Sequence, residues 1–512
     1  MSSQISNNKR IAKNTLMLYI RMLFLMAINL FTTRVVLQAL GVDDYGIYNV
    51  VGGIVALFSI LSHSLSSACS RFLNYEMGRK NYDRLKDVFS TSVSIQFALA
   101  VVIAILCEIG GLWFLNNKMV IPAERLIAAN WVFQFSVLTF CVNLISVPYN
   151  AAIIAHEKMS AFAYISIYDG LARLLICYLI MIVPFDKLIV YAALIFAIQL
   201  SVRSIYTIYC NRHFEECRYH FTYNKSLMME LFSYAGWNFI GGAASILRTQ
   251  GGNIIINLFA GPAVNAARGV ANQVNHAVSM FSTNFMTAVK PQITKSYASG
   301  DINYMTTLVN QSARLSFYML LLISMPLIVN IDYVLGLWLK TVPDRTAIFV
   351  VLTVIFTLIE SYANPLMTAQ LATGRVRNYQ LVVGGLNLLN LPISYILLRI
   401  GFVPETFLYV AILISFIALV ARLFMLKREM GFQSGRFCKD VLCNCTIVTV
   451  LSLILPLLIR YYLDKSFLSF IILSASCIFS CLLVMFLVGC KAYERRMVMN
   501  IIRKIKDKIF KK

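Results

Sequence analysis

The chain has 512 residues, of which 59% are hydrophobic and 13% are charged, and its mean hydropathy is +0.73. A soluble domain typically carries about 25% charged residues, so this composition excludes an ordinary soluble protein and predicts a polytopic membrane protein. The formal net charge of +22 also fits nucleic-acid binding, and the positions of the basic residues decide between the two.

Apolar runs of about 20 residues, the length that crosses a bilayer as a helix, recur along the whole chain. The predicted fold class is an all-α polytopic membrane protein with about 14 transmembrane helices. The predicted spans lie roughly at residues 15–40, 46–70, 88–115, 124–152, 160–183, 187–210, 228–259, 262–290, 309–340, 345–371, 378–400, 404–426, 440–462 and 467–490.

Most of the 45 Lys and Arg residues lie in the termini and in the loops after even-numbered spans. The positive-inside rule therefore predicts that both termini and these loops are cytoplasmic. The basic tail at 491–512 is predicted to lie as a helix against anionic headgroups, and no nucleic-acid partner is predicted. The first apolar run is too long for a cleavable signal peptide, so span 1 is expected to act as the signal anchor.

The first span carries two arginines. Arg21 lies close enough to the cytoplasmic end to reach the headgroups, so snorkelling explains it as well as function does. Arg34 lies deeper. A connection of only a few residues, Gly41 to Asp44, leads to a second span rich in Gly and Ser.

Further charges lie within the predicted spans, where a charge is costly and functional by default. They are Arg173, Arg248, Arg268, Arg314, Glu108, Asp169 and Glu360. Because Asp169 and Arg173 are four residues apart on one helix, mutual neutralisation is the alternative to a functional role for that pair.

Polar residues recur at steps of three and four between Gly261 and Pro291, so they share one helix face. They are Asn265, Arg268, Asn272, Asn275, Ser279 and Ser282. Polar groups facing acyl chains would each cost several kcal/mol, so this face is predicted to line a path through protein or water. The alternative is a helix–helix seam of small and polar residues.

An internal repeat relates the two halves of the chain. Residues 41–92 align on 261–312 without a gap, pairing Gly41 with Gly261 and Ser59 with Ser279. Since six spans preserve orientation, we predict two parallel lobes with the main cavity between them, as in alternating-access transporters. The predicted domains are an N-lobe at 1–220 (spans 1–6), a C-lobe at 221–430 (spans 7–12), spans 13–14 at 431–490 and the basic cytoplasmic tail at 491–512.

The excess of arginine over carboxylate within the spans predicts an anionic substrate, because guanidinium groups bind phosphate with bidentate geometry. Asn and Ser side chains beside them suit sugar hydroxyls. The cysteines are scattered and mostly lie in spans, and no His or Cys set has the spacing of a metal site. We therefore predict no metal, no cofactor and no structural disulfide.

At this point the chain resembles the Wzx-type lipid-linked oligosaccharide flippases of the multidrug, oligosaccharidyl-lipid and polysaccharide (MOP) exporter superfamily. The resemblance is carried by the segment from Asn14 to Gly46, with Arg21, Arg34 and the connection LQALGVDDYGIYN, and by the six plus six plus two spans. It implies a transporter, not an enzyme, in the bacterial inner membrane.

The resemblance also implies a substrate: an undecaprenyl-diphosphate-linked sugar repeat unit, flipped to the outer leaflet for O-antigen or other polysaccharide biosynthesis. Membrane lipids and other polysaccharide-export enzymes are implied partners. The implied diphosphate-binding residues are Arg21, Arg34, Arg248 and Arg268. Glycan hydroxyls are then expected on Asn265, Asn272, Asn275, Ser279 and Ser282.

A transporter that resets an arginine-bearing empty cavity against the membrane potential has use for a counter-transported Na⁺ or H⁺. Glu360 and Asp169 are the candidate coupling acids, and for Glu360 a purely hydrogen-bonded carboxyl near Asn364 is the alternative. Three other functions stay open: a multidrug or cation exporter of the same superfamily, a polysaccharide polymerase or similar membrane enzyme, and a non-transport assembly protein.

Overall fold

The computed structural model describes residues 2–56, 59–117, 121–222, 224–339, 342–462, 466–492, 494–496 and 499. Within these residues all regular elements are helical. The α-helices are α1 (Ser2–Ala56), α2 (Ser59–Arg79), α3 (Tyr82–Leu106), α4 (Leu112–Asn117), α5 (Leu126–Ala155), α6 (Met159–Ile182), α7 (Lys187–His213), α8 (Lys225–Ala298), α9 (Ile302–Val329), α10 (Ile331–Trp338), α11 (Thr346–Ala372), α12 (Val376–Arg399), α13 (Thr406–Met430), α14 (Ser434–Phe437), α15 (Asn444–Tyr462) and α16 (Phe467–Val484).

The predicted all-α polytopic fold is confirmed. Eleven helices in the described part of the chain are long and apolar enough to cross a membrane. The three other predicted spans, 46–70, 228–259 and 262–290, fall on α1 with α2 and on α8. These segments are rich in Gly, Ser and Asn, so they are less apolar than the other spans although they are helical where described.

Helix α1 is broken at Gly41, whose backbone angles are φ 81° and ψ 172°. Such a positive φ is strained for a residue with a Cβ atom but not for glycine. The break coincides with the short connection predicted between the first two spans.

Helix α8 extends over 74 residues, but it reverses direction on the way. Residues 249 and 268 would lie roughly 28 Å apart along the axis of a straight helix. The Nη2 atom of Arg268 nevertheless lies 3.1 Å from the carbonyl oxygen of Thr249. The chain therefore turns back in the interval that contains Gly261, the residue that the repeat pairs with Gly41. Helix α8 thus supplies two antiparallel arms, which correspond to the predicted spans 228–259 and 262–290.

The chain divides into two compact units. The first unit comprises Met1–Ala243, Thr287–Asp301 and Leu371–Leu381, and the second comprises Ala244–Met286, Ile302–Gln370 and Val382–Lys512. The first unit contains the whole of the predicted N-lobe and adds both ends of α8 and the turn from α11 to α12. The boundaries of the compact units therefore differ from the predicted lobe boundary at residue 220. The two lobes stay a prediction that rests on the internal repeat.

In the first unit, α5 packs against α2, α3 and α7, while α1 packs against α6. Its core holds fully buried aromatic residues such as Phe89, whose ring meets that of Tyr149 edge to face at 5.0 Å between centroids. In the second unit, α16 packs on α15 and α9. Large apolar side chains cover the outer faces of these helices, including Val420 and Phe479, a surface that suits contact with lipid.

A network of ion pairs and hydrogen bonds connects the ends of three helical segments of the first unit. Arg125 donates to Asp44 at 2.8 Å and to Asp186 at 2.5 Å. Asp186 also caps the N-terminus of α7 by accepting from the backbone amides of Leu188 and Ile189. Burial acts to raise the pKa of Asp186, but the hydrogen bonds from Arg125 and the amides outweigh it and hold the pKa below its ordinary value.

Asp186→Asn is expected to lower the melting temperature at pH 7, because Asn retains the helix cap but loses the charge that faces Arg125. Since the folded-state pKa is lowered, the stabilisation is complete above the ordinary carboxyl pKa of about 3.9 and is lost as the pH falls through the lower folded value. Thermal unfolding of the wild type and the variant from pH 7 downwards measures this. Asp344→Asn, at an exposed position, is the control.

Candidate functional site

Three arginines and one carboxylate meet inside the second unit. Arg248 and Arg268 come from the two arms of α8, Glu360 from α11 and Arg422 from α13. Arg248 interacts electrostatically with Glu360 and Arg422, and Arg268 with Arg248. We call these four residues the arginine cluster. With one carboxylate against three guanidinium groups, the cluster carries a net positive charge.

Arg268 is the most constrained member of the cluster. It is 4% exposed, and its guanidinium group donates to the carbonyl of Thr249 at 3.1 Å and lies 4.3 Å from the ring centroid of Phe407. Its Nη1 atom is buried and has no hydrogen-bond partner among the described residues. A buried donor without a partner is costly, so this atom is available to an acceptor on a ligand.

Glu360 is held by two partners from α13. Its carboxylate accepts a hydrogen bond from the hydroxyl of Ser415 and lies 4.0 Å from Nη2 of Arg422, which is 5% exposed. Arg248 also interacts electrostatically with Glu360, and its guanidinium group lies 4.7 Å from the ring centroid of Phe356. One carboxylate thus offsets part of the charge of two arginines, and protonating it would raise the net positive charge of the cluster.

Gly252 makes room for this arrangement. A Cβ atom at Gly252 would lie 2.5 Å from Nη1 of Arg268 and 2.3 Å from the ring of Phe407. Gly252→Ala is therefore expected to displace the Arg268 guanidinium and to destabilise the protein by about 1–3 kcal/mol. The melting temperature in detergent measures the loss, and Gly242→Ala, where a Cβ meets no atom of the described residues within 4 Å, is the matched control. Equal melting temperatures for the two variants would contradict the close approach.

The predicted polar face of α8 lies against protein. Ser282 is buried, and Asn272, Asn275 and Ser279 are half-buried, whereas His276, off the predicted face, is exposed. Asn275 accepts a hydrogen bond from Thr357 of α11, and Ser279 donates to its own helix at the carbonyl of His276. At Asn275 this face of α8 contacts α11, and at Arg268 it supplies a member of the arginine cluster.

Three predicted site residues lie together in the first unit. Arg21 stacks over Phe162 at 4.3 Å and interacts electrostatically with Tyr206, which also faces Asp169. Asp169 accepts from Arg173 at 3.2 Å and from Gln199 at 2.9 Å. The structure therefore places Asp169 and Arg173 in an ion pair on α6, next to the environment of Arg21.

The side chains of Arg34 and Asn265 are outside the described residues, as is most of the basic tail. Arg314 is buried and ion-paired with Glu494 in the second unit. Sequence reasoning did not single out Arg422, which lies four residues before the end of the predicted span 404–426. Its position one turn inside that end was the available signal.

Comparison with solved structures shows which fold the chain has. An outward-facing multidrug resistance MATE family transporter of the MOP superfamily is 10% identical with a TM-score of 0.71 over 83% of this chain and 97% of that chain. A second match is a MOP superfamily transporter from Pyrococcus furiosus, which is described as having a binding pocket of reversed polarity. It is 10% identical with a TM-score of 0.66 over 83% of this chain and 96% of that chain. This chain is therefore a polytopic membrane protein with the fold of the MOP superfamily transporters.

The chain belongs to the polysaccharide biosynthesis protein family, whose sequence profile matches residues 11–297, more than half of its length. A curated relative from Bacillus subtilis (strain 168), described as the uncharacterized membrane protein EpsK, is 21% identical over 306 residues. The aligned part spans 58% of this chain and 58% of that relative. The family is that of polysaccharide biosynthesis proteins and the fold is that of the MOP superfamily structures, so the resemblance stated from the sequence is confirmed at the level of family and fold.

Proposed function

We propose that this protein flips undecaprenyl-diphosphate-linked sugar repeat units from the cytoplasmic to the outer leaflet of a bacterial inner membrane, with both termini in the cytoplasm. The observation that carries the proposal is the arginine cluster, in which Arg268 is almost fully buried and has a donor without a hydrogen-bond partner among the residues that the structure describes. Membership of the polysaccharide biosynthesis protein family supports the saccharide part of the substrate.

The chemistry of the cluster fits a diphosphate. Guanidinium groups present two parallel N–H donors to phosphate oxygens, and each charge-assisted bond is about twice as strong as a neutral one. Arg248 and Arg268 come from arms that meet at Thr249, so one diphosphate can bridge them without a large rearrangement of α8. Asn272 lies one turn further along the same arm and offers an amide to the first sugar.

Glu360 is the member of the cluster that suits ion coupling. When it is ionised it offsets Arg422 and Arg248, and when it is protonated the cluster gains one net positive charge and binds an anion more tightly. Asp169 is the second proposed coupling acid, and it accepts hydrogen bonds from Arg173 and Gln199. An inside-negative potential favours outward movement of the anionic substrate by about 2.3 kcal/mol per charge per 100 mV.

The competing function is export of cationic drugs, since MATE transporters share the fold. A cation site would require an excess of buried carboxylate, and the arginine cluster has the opposite sign.

Reconstitution into proteoliposomes tests the proposal. A fluorescent undecaprenyl-diphosphate oligosaccharide is expected to move between leaflets at a rate that depends on the protein and on an imposed potential. Ethidium efflux, measured on the same vesicles, is expected to be absent. Ethidium efflux without glycolipid flipping would move the assignment to the drug-exporter function.

A further inference from the structure

A cationic cavity lies in the first unit, where α2 ends, α8 begins and the chain turns from α11 into α12. Its volume is about 610 Å³. Sites for small molecules usually enclose about 300–1,000 Å³. We call it the Arg71 cavity. By the predicted topology all three segments lie at the cytoplasmic ends of their spans, and the cavity shares no residue with the arginine cluster.

The lining of the Arg71 cavity has an excess of positive charge. Arg71, Arg375 and Arg377 line it, against one carboxylate, Glu230. That carboxylate is engaged elsewhere, because it accepts a hydrogen bond from Arg84 at 2.9 Å. The N-terminus of α12, which begins at Val376, also lies in the lining, so the positive end of the helix dipole adds to the charge of the guanidinium groups. An anion in this cavity would meet three guanidinium groups and no competing free carboxylate from its lining.

Arg71 is held in place by groups that leave part of its guanidinium unused. Its Nη2 donates to the carbonyl of Ala372 at 3.1 Å, and its guanidinium lies 4.5 Å from the ring centroids of Phe72 and Tyr75. Its Nε atom is buried without a hydrogen-bond partner among the described residues. The planar group is therefore preorganised by stacking while it retains donor capacity.

The backbone opposite Arg71 is shaped for close approach. Gly374 has φ +78°, and a Cβ there would lie 2.6 Å from Nη2 of Arg71. Glycine thus satisfies both the left-handed turn and the lack of space. The hydroxyl of Tyr234 donates a hydrogen bond to the carbonyl oxygen of Leu371 in the same turn at 3.3 Å, which connects α8 to the turn.

Aromatic faces complete the lining. Tyr234 and Trp237 lie on it from α8, and Arg377 is 5.4 Å from the Trp237 ring centroid. An aromatic ring beside arginines suits a ligand that joins an anionic group to a ring, because the apolar face of a sugar packs on the aromatic face while its phosphate reaches the guanidinium groups.

We propose that the Arg71 cavity is a binding site for the phosphate groups of a phosphorylated saccharide, with the sugar against Trp237. If the transported substrate is diphosphate-linked, this cavity captures its headgroup at the cytoplasmic face before the arginine cluster binds it, and that role rests on the function proposed above. The binding chemistry itself does not.

Trp237 provides a direct reporter. The chain has four Trp residues, so replacing Trp113, Trp131 and Trp338 by Phe leaves Trp237 as the single emitter. In phosphatidylcholine nanodiscs, we expect undecaprenyl diphosphate in the disc, and inorganic pyrophosphate or glucose 1-phosphate in solution, to change its emission saturably. Arg71→Gln and Arg377→Gln are each expected to weaken binding by at least about tenfold, since each removes charge-assisted bonds. Arg212→Gln, an exposed arginine of the same unit, is the control and is expected to bind as the parent does.

The two ligand sources separate in this experiment. Tighter binding of undecaprenyl diphosphate than of the soluble probes identifies the lipid-linked headgroup, and the reverse order identifies a soluble sugar phosphate. No response to any probe, or unchanged affinity in Arg377→Gln, overturns the site. Arg377 is exposed, so its variant keeps the test valid if Arg71→Gln fails to fold. If the protein flips the glycolipid but no probe binds the Arg71 cavity, only the proposed binding site is wrong. If a probe binds the cavity but the protein does not flip the glycolipid, the proposed function is wrong and the binding site stands.

Discussion

Arg268→Leu is expected to abolish most glycolipid flipping while it raises the melting temperature. Arg268 is 4% exposed, and within the described part of the chain its Nη1 atom is buried without a hydrogen-bond partner. We therefore expect its desolvation to cost more than its contacts with Thr249 and Phe407 contribute when no substrate is bound. Replacing a buried, poorly compensated charge by an apolar side chain is often neutral or stabilising by about 1–4 kcal/mol. Removing charge-assisted bonds to a diphosphate costs about 1.5–3 kcal/mol each, so flipping should fall by about 10- to 100-fold per bond lost.

The opposite signs of the two effects make this result diagnostic. Arg268→Lys, which retains the charge but not the bidentate geometry, should retain more activity than Arg268→Leu. Arg428→Gln, at an exposed position in the same unit, should alter neither quantity. Flipping rates in proteoliposomes and melting temperatures in detergent would be measured on the same preparations. A destabilised but fully active Arg268→Leu protein would show that Arg268 serves packing and does not hold substrate.

Glu157→Ala is expected to cause the largest loss of stability of any single carboxylate substitution in the first unit. Its side chain is 1% exposed and accepts from Lys295 at 2.9 Å and from Gln292 at 2.7 Å, while Arg10 lies 2.8 Å away. Burial lowers the pKa of Lys295, which the nearby Glu157 carboxylate partly offsets. Removing the carboxylate leaves Lys295 largely buried without its counter-charge, a change that costs about 3–5 kcal/mol.

Thermal unfolding of Glu157→Ala and of the exposed control Glu215→Ala would measure the difference. A double variant that also carries Lys295→Met should recover part of the loss, because it removes the stranded charge. A loss no greater than that of Glu215→Ala would show that solvent compensates Lys295 and that the pair is not structural.

Sequence reasoning predicted the all-α fold, because the fold class depends on composition and on helical periodicity. The predicted excess of arginine within the spans matches the charge of the arginine cluster, while the role of that cluster as a site stays a proposal. Asn275 and Ser282 lie on the buried side of α8, and His276 lies off it, as the steps of three and four predicted. The interval of the turn in α8 was also accessible, since the repeat pairs Gly261 with Gly41.

The contacts between helices were not accessible in the same way. The partners of Glu360 are Ser415 and Arg422, which are more than 50 residues distant along the chain, so no local pattern links them. The need for glycine at Gly252 arises only from the approach of Arg268 across the turn. The Arg71 cavity combines three segments whose proximity follows from tertiary packing alone.

The composition of the first unit sets an order of events during synthesis. Residues 287–301 and 371–381 belong to this unit although most of it lies before residue 244. A nascent chain that ends at residue 243 therefore holds Glu157 without Lys295, and Arg71 without the carbonyl of Ala372. The contacts of the first unit can therefore be completed only after residues up to 381 have been synthesised. Membrane insertion and final folding are thus separate stages for this chain, and a fragment that stops after the sixth span lacks the groups that complete its own unit.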